Sequence, residues 1–182
     1  MKNILYLDCE FTDLLHPELL SLGLVSTAGE EHYVELDLDD PASAPTLSRA
    51  SDFVRHNDVL AQWGRVPGSA GNLEQMGLRT ARWVLDQAAR YGQPTHIGFD
   101  YAPDYELFES HLRDTGQWDA VREAVLPLYV GEWTNRLDGN LGAAAAYEWA
   151  SKRGLDRHHA LADAHALRAA HYAVMTGKRV KL

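Results

Sequence analysis

The sequence predicts one α/β domain, and three observations predict it. Strand-like segments fill most of the first forty residues, helical patterns alternate with short apolar runs after them, and no linker, repeat or low-complexity stretch divides the 182 residues. With 46% of residues hydrophobic and 24% charged, the chain can build one core large enough to stabilise itself.

The elements follow in order. Residues 2–9, 19–26 (LLSLGLVS) and 31–38 (EHYVELDL) are apolar or β-branched runs with polar breaks between them, which predicts three sequential antiparallel strands. DDPASAP at 39–45 is a turn, after which Ser48 is a candidate cap for a helix running to about Trp63. GRVPGSAGN at 64–72 reads as a loop. Helical spacing then runs through Leu73, Met76, Trp83, Val84 and Ala88 over 73–91, broken by Gly92 and Pro94 before the short strand THIGF. Asp104 opens a further helix, a strand is predicted near 126–133, and two last helices are predicted near 140–152 and 159–175, leaving the basic tail GKRVKL.

Composition excludes several classes of function. A single cysteine, Cys9, allows no intramolecular disulfide and no cysteine-rich zinc site, which fits a reducing compartment. The first residues carry acids inside their apolar stretch and lack a small-residue cleavage site, so they do not read as a signal peptide. No run of 18 apolar residues exists either, so a cytoplasmic protein without a membrane partner is expected. A net charge of −9 argues against broad electrostatic binding to nucleic acid. It leaves room for a nucleic-acid substrate whose charge is met locally by metal ions.

The first strand holds the most informative anomaly. In ILYLDCEF, residues 4–11, both faces are apolar until Asp8 and Glu10 replace one set of side chains at the strand's end. An acid-x-acid pair alone means little, because 26 acids in 182 residues give roughly four by chance. In YVELDLDD, for example, Glu35, Asp37 and Asp39 alternate with Val34, Leu36 and Leu38 and are expected on a solvated face. Asp8 and Glu10 differ in pointing the same way at the edge of a core, where two unpaired carboxylates repel and resist burial. A bound cation or basic partners are therefore expected there.

Two later segments complete a pattern. HIGFDYAPDYELF supplies a mid-chain aspartate before a helix, and HHALADA supplies His-x-Ala-Leu-x-Asp-Ala near the C-terminus. With LDCEF, in this order, the three segments resemble the DEDDh branch of the DnaQ-like 3′-to-5′ exonucleases. LDCEF followed by LLSLGLVSTAGEEHYVEL is most similar to a small bacterial exoribonuclease subgroup first described from mycobacteria. The resemblance spans about residues 2–175 and implies a ribonuclease H-like fold with a mixed, mostly five-stranded sheet flanked by helices.

Carried over residue by residue, the resemblance implies Asp8, Glu10, Asp104 and Asp163 as ligands of two Mg²⁺ or Mn²⁺ ions and His158 as general base. Asp100 is the alternative to Asp104, and His159 the neighbour that the five-residue spacing to Asp163 sets aside. Phe11 and Thr12 are implied as contacts to the terminal nucleotide, by stacking and through a hydroxyl or backbone amide respectively. The implied substrate is single-stranded RNA or an RNA 3′ overhang, released as nucleoside 5′-monophosphates, and a homodimer is a further expectation from related enzymes. Two alternatives stay open: a 3′-to-5′ DNA exonuclease of the proofreading type, and a non-catalytic nucleic-acid-binding domain of the same fold. Asp13 departs from the family in standing where many relatives have glycine. The five tryptophans are expected in the core or at interfaces, and Lys178, Arg179 and Lys181 on a solvated terminus.

Overall fold

A computed structural model of the chain describes residues 3–56, 59–91, 94–178 and 180, so Gly92, Arg179 and Lys181 lie outside the described residues. Six strands, β1 (Ile4–Phe11), β2 (Leu19–Ser26), β3 (Glu31–Leu36), β4 (Ala70–Gly71), β5 (Thr95–Phe99) and β6 (Val125–Tyr129), form one mixed sheet in the order β4-β3-β2-β1-β5-β6. As the sequence predicts, β1, β2 and β3 pair antiparallel in succession; β5 lies parallel to β1, and β6 parallel to β5. The helices are α1 (Ala44–Ser48), α2 (Asp52–His56), α3 (Leu73–Tyr91), α4 (Ala102–Asp114), α5 (Trp118–Val121), α6 (Gly131–Thr134), α7 (Leu137–Ser151) and α8 (Ala160–Thr176).

Period-2 alternation in β1 decides what each face of the sheet covers. Leu5, Leu7 and Cys9 join the larger core with Leu20, Leu22, Leu24 and side chains of α3, α4 and α5, including Trp118. Ile4 and Tyr6 face the other way, toward Leu167 of α8. Asp8 and Glu10 continue this second set, so the fold directs them to the α8 side of the sheet. Helix α8 is alanine-rich and buried almost all round, because it is sandwiched between the sheet and α7. Two glycines permit this close packing. A Cβ at Gly23 of β2 would lie 2.4 Å from the Ala160 carbonyl oxygen, and one at Gly142 of α7 would lie 2.6 Å from that of Ala169.

The structure corrects the sequence reading in several places. The sheet has six strands rather than about five, because Ala70–Gly71 inside the expected loop pairs parallel with Glu35 and Leu36. The helix expected from Ser48 to Trp63 is instead α1, α2 and a 3₁₀ turn at Leu60–Gln62. Pro45 starts α1 early. Ser48 ends that helix, its hydroxyl donating to the Pro45 carbonyl (2.7 Å), while the Ser51 hydroxyl accepts from the Val54 amide at the start of α2. The strand expected to reach residue 133 ends at Tyr129 and gives way to α6. Glu35 is not on a solvated face: it is 1% exposed, and its carboxylate accepts from the Tyr33 hydroxyl (2.9 Å), the Ser69 hydroxyl (2.8 Å) and the Gly64 amide (3.0 Å). No helix among the described residues is long and apolar enough to cross a membrane.

Candidate metal centre

Four elements bring acids together at the C-terminal end of β1. The strand contributes Asp8 and Glu10, the β5–α4 connection contributes Asp100, the first turn of α4 contributes Asp104, and the first turn of α8 contributes Asp163. Helix α4 is locked to β1 by Cys9, whose thiol donates to the Asp104 carbonyl at 3.6 Å. One potential ligand atom from each of Glu10, His158 and Asp163 lies within 4.8 Å of the others. Asp8, Asp100, His158 and Asp163 line one cleft of about 350 Å³.

Burial and mutual proximity shift the acids of the cluster in one direction. Burial, and then the neighbouring Asp163 and Asp104, push Glu10 up to about 8. Burial, with Asp100 next, pushes Asp104 up to about 8. Asp8 is driven well above the usual carboxylate range by burial and by the surrounding acids Asp163, Asp104, Glu10 and Asp100. Burial also raises Asp163, against the pull of hydrogen bonds from Tyr147 and His158. Among the described residues lining the cleft, Arg157 is the only permanent cation. So many hard oxygen donors converging on one partly buried spot fit a divalent cation, whose charge would offset both their burial and their mutual repulsion.

Asp163 is held from both sides. The Tyr147 hydroxyl of α7 donates to its Oδ1 at 2.5 Å, and the His158 amide donates to its Oδ2 at 2.9 Å. That second bond comes from a backbone in the left-handed region: His158, at φ 63°, is the one non-glycine residue with positive φ among those described. Such a conformation costs of order 1–3 kcal/mol and persists only when its surroundings enforce it. The consequence is an exposed imidazole beside the acids, set edge-on to the Phe53 ring (centroids 5.3 Å apart, planes at 90°).

The two histidines are thereby separated by role. His159 is 1% exposed, caps α8 by accepting from the Leu161 amide at 3.2 Å, and stacks on Tyr33 with centroids 4.4 Å apart. Burial, with Arg65 next, lowers its pKa to about 4. It belongs to the core, whereas His158 faces the acids.

The remaining sequence-predicted residues divide. Phe11 is half-buried with its ring nearly parallel to that of exposed Tyr101, centroids 6.5 Å apart. Thr12 does not present itself to a ligand. It is fully buried, its amide donates to the Glu18 carbonyl, its hydroxyl accepts from the Glu18 amide (both 3.0 Å), and its carbonyl accepts from Ser51. Asp100 is exposed at the rim and receives a long 3.5 Å bond from the Thr134 hydroxyl, so Asp104 is the more buried of the two mid-chain acids. Asp13 closes the turn after β1 by accepting from the amides of Leu15 (2.7 Å) and His16 (2.8 Å).

Sequence reasoning missed Tyr147 and Arg157. Tyr147 stands 16 residues before Asp163 with no periodic relation to it, and the Arg157 guanidinium lies 4.6 Å from the centre of the Tyr147 ring. The one available signal was a basic residue directly before the histidine pair.

No protein-family model matches the chain, and no curated protein matches it. The functional reading therefore rests on the site itself.

Proposed function

We propose that this protein is a metal-dependent 3′-to-5′ exoribonuclease of the DEDDh type on a ribonuclease H-like fold. Its substrate in this reading is single-stranded RNA or an RNA 3′ overhang. The observation that carries the proposal is the meeting of Asp8, Glu10, Asp104 and Asp163, drawn from three distant segments, with the exposed imidazole of His158 beside them. Packing alone gives no reason to bury mutually repelling carboxylates, which speaks against a catalytically idle domain.

Asp8, Glu10, Asp104 and Asp163 would hold two Mg²⁺ or Mn²⁺ ions. When bound, these supply a water of lowered pKa and stabilise charge on the leaving 3′ oxygen. The chain's own residues supply the rest. A ring nitrogen of His158 accepts the proton of the attacking water, in an orientation set by the backbone bond to Asp163. Tyr147, through its hydroxyl, fixes the Asp163 carboxylate that this chemistry needs. Arg157 lines the cleft as a cation for a substrate phosphate, a role suited to a protein with net charge −9 and little other attraction for a polyanion. Phe11 and Tyr101 offer aromatic faces to an unstacked base.

The test is digestion of 3′-end-labelled RNA and DNA oligomers of one sequence, side by side, in Mg²⁺ and in EDTA. Release of labelled mononucleotide from RNA, faster than from DNA and stopped by EDTA, is the expected result. Faster removal of deoxynucleotides would overturn the RNA assignment, and full activity in EDTA the metal-dependent mechanism.

A further inference from the structure

A second cavity, of about 330 Å³ and outside the acid cluster, lies between β1, β6, α6 and α8. Its walls are mostly apolar, with Ile4, Leu128, Trp133 and Met175 prominent. Arg168 also lines it. Arg168 is only 5% exposed, and no described carboxylate forms an ion pair with it. Its Nε and Nη2 both reach the same acceptor, the Thr27 carbonyl, at the long distances of 3.4 and 3.3 Å, and Nη1 makes no hydrogen bond among the described residues. A mostly buried charge without a counter-ion is costly, so arginines are seldom this buried unless paired with an acid.

The nearby acid is already committed. Glu31 receives Arg153 on both oxygens (2.6 and 3.0 Å) and His165 on Oε1 (2.8 Å). The chain nevertheless makes room for the guanidinium. Gly29, at φ 92°, lies against it, and a Cβ there would come within 3.2 Å of Nη2. Two other polar groups of the cavity satisfy one another, since the Tyr6 hydroxyl bonds His171 Nδ1 at 2.8 Å and Trp133 stacks on the same imidazole. Arg168 is therefore the one permanently charged group among the described residues of the cavity wall, with donors to spare for an anion.

We infer that this cavity binds a small amphipathic monoanion, a carboxylate on an aromatic or branched apolar body, through the Arg168 guanidinium. One buried cation matches one negative charge. The apolar walls and small volume disfavour a nucleotide or polyphosphate, and Trp133 favours a flat ring.

Isothermal titration of the full chain in EDTA, with indole-3-acetate as the probe and indole-3-acetamide as its neutral counterpart, tests the inference. The chelator removes any metal-held carboxylate binding at the acid cluster. Saturable one-to-one binding of the acetate is expected, at least about tenfold tighter than the amide. The Arg168→Gln substitution should bring the acetate down to the amide's affinity. Met175→Trp, made at a 62% exposed position on the cavity wall, should weaken both probes and keeps the test decisive if Arg168→Gln does not fold. Equal affinities for the two probes, absence of saturable binding, or binding unchanged in Met175→Trp would overturn the inference. So would a stable dimer whose formation excludes the probe.

Discussion

The Tyr147 hydroxyl and the Asp163 carboxylate meet at 2.5 Å, and this contact ties α7 to the acid cluster on α8. With the His158 amide on the other oxygen, Asp163 has both oxygens fixed before any cation arrives. Partners of this kind typically contribute 10- to 100-fold to metal affinity or activity. Tyr147→Phe should therefore lower turnover by about tenfold or more while circular dichroism stays unchanged. A matched Mg²⁺ titration should show weaker apparent metal affinity, which a purely structural role for Tyr147 would not produce.

The paired histidines should separate function from stability. His158→Ala should cost on the order of 10² or more in turnover with little loss of stability, consistent with removal of a general base. His158→Gly should lose activity to the same degree yet stabilise the fold by about 1 kcal/mol, because glycine adopts a φ of 63° without strain. His159→Ala should instead destabilise by about 2–4 kcal/mol, through loss of the α8 cap and of packing against Tyr33. Urea unfolding beside steady-state kinetics checks all three, and the reverse ranking of the two histidines would contradict the assignment of the base.

Without metal, stability should fall as pH rises from about 6.5 to 8. Glu10 and Asp104, at about 8 in the folded state, keep their protons there while the unfolded chain has lost them, so raising the pH favours unfolding. The buried histidines His32, His111 and His159 act in the opposite sense. Lowered to about 4, they lose stability as pH falls through 6.5 toward 4, and they are neutral in both states above that range. The carboxylates therefore dominate the upper window. Thermal melts in EDTA should show the decline, and Mg²⁺ or Mn²⁺ should flatten it. In the same metal-free melts, Asp104→Asn should raise Tm by about 2–8 °C at pH 8 while abolishing turnover.

Gly23→Ala tests how α8 is positioned. A methyl group 2.4 Å from the Ala160 carbonyl oxygen must push away the start of the helix that carries Asp163 and that His158 and His159 lead into. The expected cost is about 2–3 kcal/mol of stability, with a loss of activity larger than the fraction unfolded explains. Activity that tracks the folded fraction alone would show that this end of α8 tolerates displacement.

What the sequence revealed was local or strongly periodic. Segment 73–91 and THIGF were legible because hydrophobic spacing and their breaks lie within the segments themselves, and they match α3 and β5. The strand β4 was not, since two residues gain their conformation only from pairing with β3. Glu35 was misread for a related reason. Its burial depends on hydrogen bonds from Gly64 and Ser69, about thirty residues away, which alternation within β3 does not encode. Within the site, Asp8, Glu10, Asp104, His158 and Asp163 were all named from the sequence, and the fold brings them together. Tyr147 was invisible because its partner lies on another helix, and the burial of Thr12 was invisible because the neighbours that engage it, Glu18 and Ser51, are brought to it by the fold.

The central claim is that the acid cluster at the end of β1 drives stepwise hydrolysis from an RNA 3′ end. The most direct measurement is a time-resolved ladder from 5′-labelled single-stranded RNA with Mg²⁺, run for the unaltered protein and for Asp8→Asn. The account predicts shortening by single nucleotides from the 3′ end for the former and persistent full-length RNA for the latter. Cleavage appearing first inside the strand, or an Asp8→Asn protein as active as the unaltered one, would contradict it.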